Sequence, residues 1–338
     1  MTTLTTDGLM EGSDGTVRTI STGAQGWVLK GGFDRMIVVA GEALIDLIVH
    51  QDAHVTASLG GGPFNTARTA GRLGVDVAFL GRLSTDRFGG MLATALTDDG
   101  VDLRWTTTTD APTTLAVAEL DASGAASYRF HLAETSAPTL GLDDVLAALR
   151  SVPRIVHVGA LGLVIEPIAS ALAAGIQRAS PETLVMVDPN CRPRAIRDRD
   201  AYLARLDGIL ARADLIKVSA DDLAYLAPDA HRGDAARALL THRRAVVLLT
   251  DGAAAVSVFG PGFAFDVPVP KVDVVDTIGA GDAFGGGFLA RWVDRGYGRP
   301  ELADETAVRD AATVAIDVAT RTCLHPGADP PRRSELDW

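Results

Sequence analysis

Three stretches of this chain carry residue types that could do chemistry together. Asp276-Thr277-Ile278-Gly279-Ala280-Gly281-Asp282-Ala283-Phe284 runs into Gly285-Gly286-Gly287-Phe288-Leu289-Ala290-Arg291-Trp292. Gly279-Ala280-Gly281 has almost no side chain to shield its amides. At a helix start such N–H groups converge on an anion, and the helix dipole adds to the attraction. Asp282 falls in the first turn beside them. A carboxylate repels phosphate, so it suits a base that takes a proton from an attacking hydroxyl. It could equally cap its helix. The second stretch is Gly60-Gly61-Gly62-Pro63-Phe64-Asn65-Thr66-Ala67, and the third is Gly41-Glu42-Ala43-Leu44-Ile45-Asp46. The carboxylates of Asp46 and Asp282 and the amide of Asn65 suit the hydroxyls of a polyhydroxyl compound. Asn65 also stands where it could cap a helix over 66–73.

These stretches need a frame. Short apolar strands are predicted at 36–40, 77–80, 155–158, 184–187, 215–218 and 246–249, with helices such as 143–150 and 200–212 between them. The alternation indicates an α/β fold with a parallel sheet covered on both faces. The strands end in Gly41-Glu42, Gly81-Arg82, Gly159-Ala160, Asp188-Pro189-Asn190, Ser219-Ala220-Asp221-Asp222 and Thr250-Asp251-Gly252. In open α/β sheets, ligands bind outside such carboxyl ends. Residues 113–119 and 127–132 alternate like a hairpin joined by Asp121-Ala122-Ser123-Gly124. With strands near 45–48 and 54–59 they predict a small β-sheet lid. Tyr128 and Phe130 on it could close over a ligand or pack. Residues 1–35, rich in Thr, Gly, Ser and Asp, read as a flexible extension or as sequence upstream of a start at Met36. The working domain is expected over 36–335.

Composition removes other classes. Lys plus Arg is 31 and Asp plus Glu is 43 in 338 residues, a net charge of −12. That opposes non-specific nucleic-acid binding and anionic membrane surfaces. Two cysteines, Cys191 and Cys323, are too few for a disulfide framework or a zinc site and fit a reducing cytosol. No apolar run approaches the roughly 20 residues of a membrane span, and no signal peptide opens the chain. The lysines are Lys30, Lys217 and Lys271, none in a P-loop. Gly279-Ala280-Gly281 starts like a dinucleotide fingerprint but has Phe284 where the third glycine belongs. The nucleophile elbow G-x-S-x-G is absent.

Asp276–Asp282 resembles the D-T-x-G-A-G-D signature of the ribokinase-like (PfkB-type) carbohydrate kinases. Gly60–Asn65 resembles that family's G-G-x-x-x-N motif, and Gly41–Asp46 its opening strand. Asp188-Pro189-Asn190-Cys191-Arg192-Pro193 resembles the D-x-N-x-R segment of fructokinase-like and ketodeoxygluconate-kinase-like members. His325-Pro326-Gly327-Ala328 resembles the late G-A loop. The resemblance spans about residues 36–335. It implies a ribokinase-like three-layer sandwich with a mostly parallel central sheet and a lid, and a homodimer through that lid. It implies ATP-dependent phosphorylation of a primary sugar hydroxyl, with Asp282 as base and Gly279, Ala280 and Gly281 as the anion hole. Asp46, Gly60, Gly61, Asn65 and Arg192 would bind sugar, and Arg192 could instead pair with Asp198 or Asp200. Ser219, Thr250 and Gly252 would face ATP. Where many members have N-x-x-E, this chain has Ser219 and Asp222, so Asp222 would hold Mg2+ through water. A K+ ion is implied near Asp276, Ile278 and Gly327. A nucleoside kinase, with Phe64 stacking on the base, and a sugar sensor without turnover are the alternatives.

Overall fold

Six aliphatic runs form the parallel part of an eight-stranded sheet: Ile37–Ala40, Val77–Leu80, Ile155–Gly159, Leu184–Asp188, Leu215–Ser219 and Val246–Thr250. In this computed structural model the described residues are 9–11, 17–23, 26–30, 35–52, 54–120, 126–242 and 245–338. Across the sheet the order is 263–267, 256–260, 246–250, 215–219, 184–188, 155–159, 37–40 and 77–80. Successive side chains of a strand point to opposite faces. Val38 and Ala40 therefore enter one core, and Ile37 and Val39 the other. Helices Leu142–Leu149, Ile168–Ile176 and Arg199–Leu210 cover the first face. Helices Gly62–Arg72, Arg87–Asp98, Ala280–Asp294 and Glu305–Thr322 cover the second. The result is a three-layer α/β sandwich.

Two strands extend the sheet beyond the sequence expectation. Val256–Gly260 and Phe263–Val267 pair antiparallel at its edge. They follow Val246–Thr250 as a hairpin with no helix between the strands, so they lack the β-then-α rhythm.

A second sheet of four strands stands apart. Its order is Ala126–His131, Leu115–Leu120, Leu44–Val49, Val55–Gly60. Leu115–Leu120 runs parallel to Leu44–Val49, with Leu115 opposite Ile45, and the other pairings are antiparallel. The expected turn at 121–124 lies outside the described residues, as does the side chain of Tyr128. Leu44–Val49 follows the core strand Ile37–Ala40 after only three residues, so the lid grows directly from the sheet.

Of the extension expected over 1–35, three short strands are described. Leu9–Glu11, Val17–Gly23 and Gly26–Lys30 pair antiparallel in a sheet of their own. The remaining positions up to residue 34 lie outside the described residues. Among the described residues, no helix is long and apolar enough to cross a membrane.

Candidate active site

A cleft of about 1160 Å³ lies between the carboxyl ends of the parallel strands and the inner face of the lid. The lid supplies Asp46, Ile48, Ser58, Ala118 and Phe130 to its wall, and the floor includes Asn65, Asn190 and the Gly279–Asp282 turn.

Asp282 is the third residue of helix Ala280–Asp294, whose cap is Gly279 at φ 75°. The carboxylate caps nothing. Its Oδ2 accepts a hydrogen bond from Asn65 Nδ2 at 2.9 Å, and its Oδ1 accepts a long one from Asn190 Nδ2 at 3.5 Å. Asn65 is not a cap either. Helix Gly62–Arg72 starts three residues earlier, after Gly61, because Pro63 suits a first turn. Asn65 is therefore fixed inside that turn and aimed across at Asp282.

Burial pushes the Asp282 carboxyl up to about 7; the Asn65 hydrogen bond opposes this, Asp188 reinforces it, and Lys217 and Arg192 oppose it. Burial also raises Glu42 to about 7 and Asp46 to about 6. A base must be unprotonated, and a raised carboxyl takes its proton earlier as pH falls. The rate kcat/KM is expected to fall on the acid side through pH about 7, well above an ordinary carboxylate, and to level off above it. A pH profile that stays flat down to pH 5 would remove Asp282 as the titrating base.

Of the residues expected to bind hydroxyls, Asp46, Gly61, Asn65 and Arg192 line the cleft, whereas Gly60 is buried behind Asp46 and does not. Asp46 lies on the lid strand, and Gly60 on the neighbouring one. A Cβ at Gly60 would lie 2.0 Å from Asp46 Oδ2, so the missing side chain is what makes room for the carboxylate. Arg192 donates to the side chain and carbonyl of Asn190 and does not pair with Asp198, which caps helix Arg199–Leu210 through Ala201 N. Its charge acts on Glu42, Asp46 and Asp282. Phe64 is fully buried in the core. It offers no face to a ligand, so the base-stacking role imagined for it is wrong.

Three residues here were not singled out from sequence. Glu42 accepts from Gly62 N at 3.2 Å and Gly162 N at 2.8 Å, tying the start of helix Gly62–Arg72 to the helical turn after Ile155–Gly159. Asn190 reaches Asp282. Lys217 Nζ lies 3.0 Å from Asp188 Oδ2 and close against Gly281. Burial alone would lower the Lys217 ammonium, but Asp188, Asp222 and Asp282 outweigh it and keep it charged. One lysine inside a buried apolar strand was the available signal.

Ser219, Thr250 and Gly252 also line the cleft, Ser219 and Thr250 as paired residues at the ends of neighbouring strands. Ser219 caps helix Ala220–Leu226 in a reciprocal box with Asp222. Asp222 is buried, does not reach the cleft wall, and both its oxygens accept protein donors: Cys191 N at 2.6 Å, and Ser219 N and Oγ at 2.7 Å each. Among the described residues, no three His, Cys, Asp or Glu side chains group as metal ligands. Asp276 brings its expected partners together. It accepts from Ile278 N at 3.0 Å and Gly327 N at 2.8 Å.

A lidded α/β sandwich with a glycine-rich turn and a half-buried carboxylate at its strand ends fits the phosphotransferase class. The chain belongs to the pfkB family of carbohydrate kinases, whose profile matches residues 34–333. It is 32% identical over 259 residues to a fructokinase of Rhizobium leguminosarum bv. trifolii, covering 75% of this chain and 79% of that one. It is 31% identical over 317 residues to fructokinase-1 of Oryza sativa subsp. japonica, covering 90% and 97%. Among solved structures, a fructokinase with bound ATP from Xylella fastidiosa superposes with a TM-score of 0.80 at 28% identity, over 87% of this chain and 94% of that one. The fold is ribokinase-like, and the enzyme is a carbohydrate kinase that uses ATP.

Proposed function

We propose that this kinase phosphorylates a primary hydroxyl of fructose or a fructose-like sugar, with Asp282 as general base. The observation that carries this is the placement of Asp282: half-buried in the cleft beside Gly279–Gly281 and hydrogen-bonded to Asn65 at 2.9 Å. The sugar identity leans on the fructokinases to which the chain is similar and on Asp188-Pro189-Asn190-Cys191-Arg192. A ribose-like sugar or a keto-deoxy sugar acid remains within the same cleft chemistry.

Asp46, Asn65 and Arg192, with the Gly61 backbone, hold the sugar hydroxyls. Asp282 takes the proton from the primary hydroxyl as its oxygen attacks the γ-phosphorus in line. The amides of Gly279 and Gly281 stabilise charge on the transferring group, each such donor supplying about 3 kcal/mol; Ala280 N already donates to the Thr277 carbonyl at 3.2 Å and joins them only if that bond is exchanged. The charged Lys217 beside Gly281 adds to that field. The lid excludes water, the competing acceptor. Ser219, Thr250 and Gly252 border the nucleotide, and the exposed Val272 and Val274 give its ring an apolar wall.

Magnesium, when bound, neutralises the β- and γ-phosphates. The residues present fit a metal held mainly by phosphate and water. Asp222 already satisfies both oxygens within the protein, whereas Asp188 Oδ1 is buried with no partner. Asp222 then acts at a distance, through water and by holding Ser219. A monovalent cation beside Asp276 would be held by backbone oxygens of Ile278 and the Gly327 loop, which Asp276 draws together through their amides. A homodimer through the lid belongs to the same reading, since the strands Val55–Gly60 and Ala126–His131 are its free edges. The free thiols of Cys191 and Cys323 suit a cytoplasmic setting.

The test is ATP consumption across a panel of fructose, ribose, keto-deoxy sugar acids and nucleosides, with magnesium and potassium. Fructose-like sugars are expected to turn over fastest. Turnover of nucleosides alone would replace this reading with a nucleoside kinase. Saturable sugar binding without turnover would make the chain a sensor.

A further inference from the structure

A buried ion cluster behind the catalytic turn has no part in the chemistry above. Asp99, just past helix Arg87–Asp98, has a side chain only 4% exposed. It accepts from Arg68 Nε at 2.7 Å and Arg72 Nε at 2.8 Å, and Arg332 approaches to 3.4 Å. Both Arg68 and Arg72 stand on helix Gly62–Arg72, the helix that carries Asn65. Their remaining N–H groups reach a different segment. Arg68 Nη1 donates to the Ala328 carbonyl at 3.2 Å, and Arg72 Nη1 donates to the Pro330 carbonyl at 2.6 Å and to Asp329.

Residues 325–330 form no helix or strand, so their position depends on such outside ties. They also touch the catalytic turn directly. A Cβ on Gly279 would lie 2.5 Å from the Ala328 Cβ, and Gly327 N is bonded to Asp276. The loop thus braces the turn at Asp276 and at Gly279. Arg68 is itself oriented twice, by Asp99 and by lying 5.4 Å over the Phe64 ring.

We propose that Arg68 is a positioning residue: held by Asp99, it fixes the 327–330 loop against Gly279 and so sets the amides of Gly279–Gly281. The helix Gly62–Arg72 then serves both substrates, the sugar through Asn65 at its start and the phosphoryl turn through Arg68. This rests on the reading of Gly279–Gly281 as the anion hole. A cluster that only stabilised the fold would lower melting temperature without separating the kinetic constants.

The test compares the full chain with Arg68→Met, which keeps a long stem over Phe64, and with Arg68→Lys. Arg68→Met is expected to lower kcat about tenfold, since small misplacements of reacting groups are costly. The sugar KM stays within about twofold, because Asn65 and Asp46 are untouched. Amide hydrogen exchange quickens at 276–282 and 325–330. Arg68→Lys, which can reach Asp99 or the carbonyl but not hold both as a fork, gives an intermediate kcat. Wild-type kcat with unchanged exchange at 276–282 overturns the proposal. So does a lower melting temperature with kcat and KM unchanged. If the wild-type chain turns over no sugar, the functional reading fails by itself, and exchange at 276–282 still decides whether Arg68 braces the turn.

Discussion

Replacing Asp282 by Asn is expected to lower kcat by about 10² to 10⁴ while the sugar KM changes little. Asn keeps the shape of the carboxyl group and can still accept from Asn65 Nδ2 through its oxygen. It cannot take a proton from an attacking hydroxyl. The loss therefore falls on the transition state and not on sugar binding. The acid limb of the pH profile should lose its Asp282 component, leaving whatever Glu42 and Asp46 contribute. Steady-state kinetics with a melting curve check this together. A folded Asp282→Asn enzyme with near-normal turnover would falsify the assignment of the base.

Gly279→Ala should be comparably damaging for another reason. Gly279 holds φ 75°, a left-handed conformation that costs an L-residue about 1–2 kcal/mol. The new methyl would also lie 2.5 Å from the Ala328 Cβ. The turn or the 327–330 loop must then move, and the amides that follow move with it. Losing one aligned donor in such a hole costs about 10² to 10³ in rate. A kcat lower by about 10², with a sugar KM within a few-fold, is the expected outcome. Unchanged kcat would show that these amides do not stabilise the transferring group. A matched rise in sugar KM would place the damage at the wrong end of the cleft.

How much of this was legible in the sequence depended on how local each feature is. The six parallel strands were readable because a strand buried on both faces is a continuous aliphatic run closed by a polar or small residue. The lid hairpin was readable from its two-residue alternation. The edge strands Val256–Gly260 and Phe263–Val267 were not, since they carry no crossover helix. At the site, Gly279–Asp282 and Asn65 were visible as motifs, but whether Asp282 and Asn65 capped helices depended on where those helices begin. Pro63 moved one start forward, and Gly279 took the cap of the other. Glu42 stayed hidden because its partners, the amides of Gly62 and Gly162, come from helical turns 20 and 120 residues away. Phe64 misled for the reverse reason. Its neighbours Gly61, Gly62 and Asn65 line the cleft, yet it lies on the helix face that enters the core.

The parallel pairing inside the lid has a bearing on how the chain folds. Leu44–Val49 and Leu115–Leu120 are separated by helices Gly62–Arg72 and Arg87–Asp98, which pack on the main sheet. Closing so long a loop costs conformational entropy, and the cost is smaller once those helices have docked. The lid is therefore expected to assemble after the main sheet and to open before it, which faster amide exchange in Leu44–Val49 and Leu115–Leu120 than in Ile155–Gly159 would show. Its strands form a separate sheet with two free edges, so opening it leaves the eight-stranded core intact. An entrance to the cleft can then open by local fraying of the lid sheet alone, at a cost set by its own pairings and not by the core.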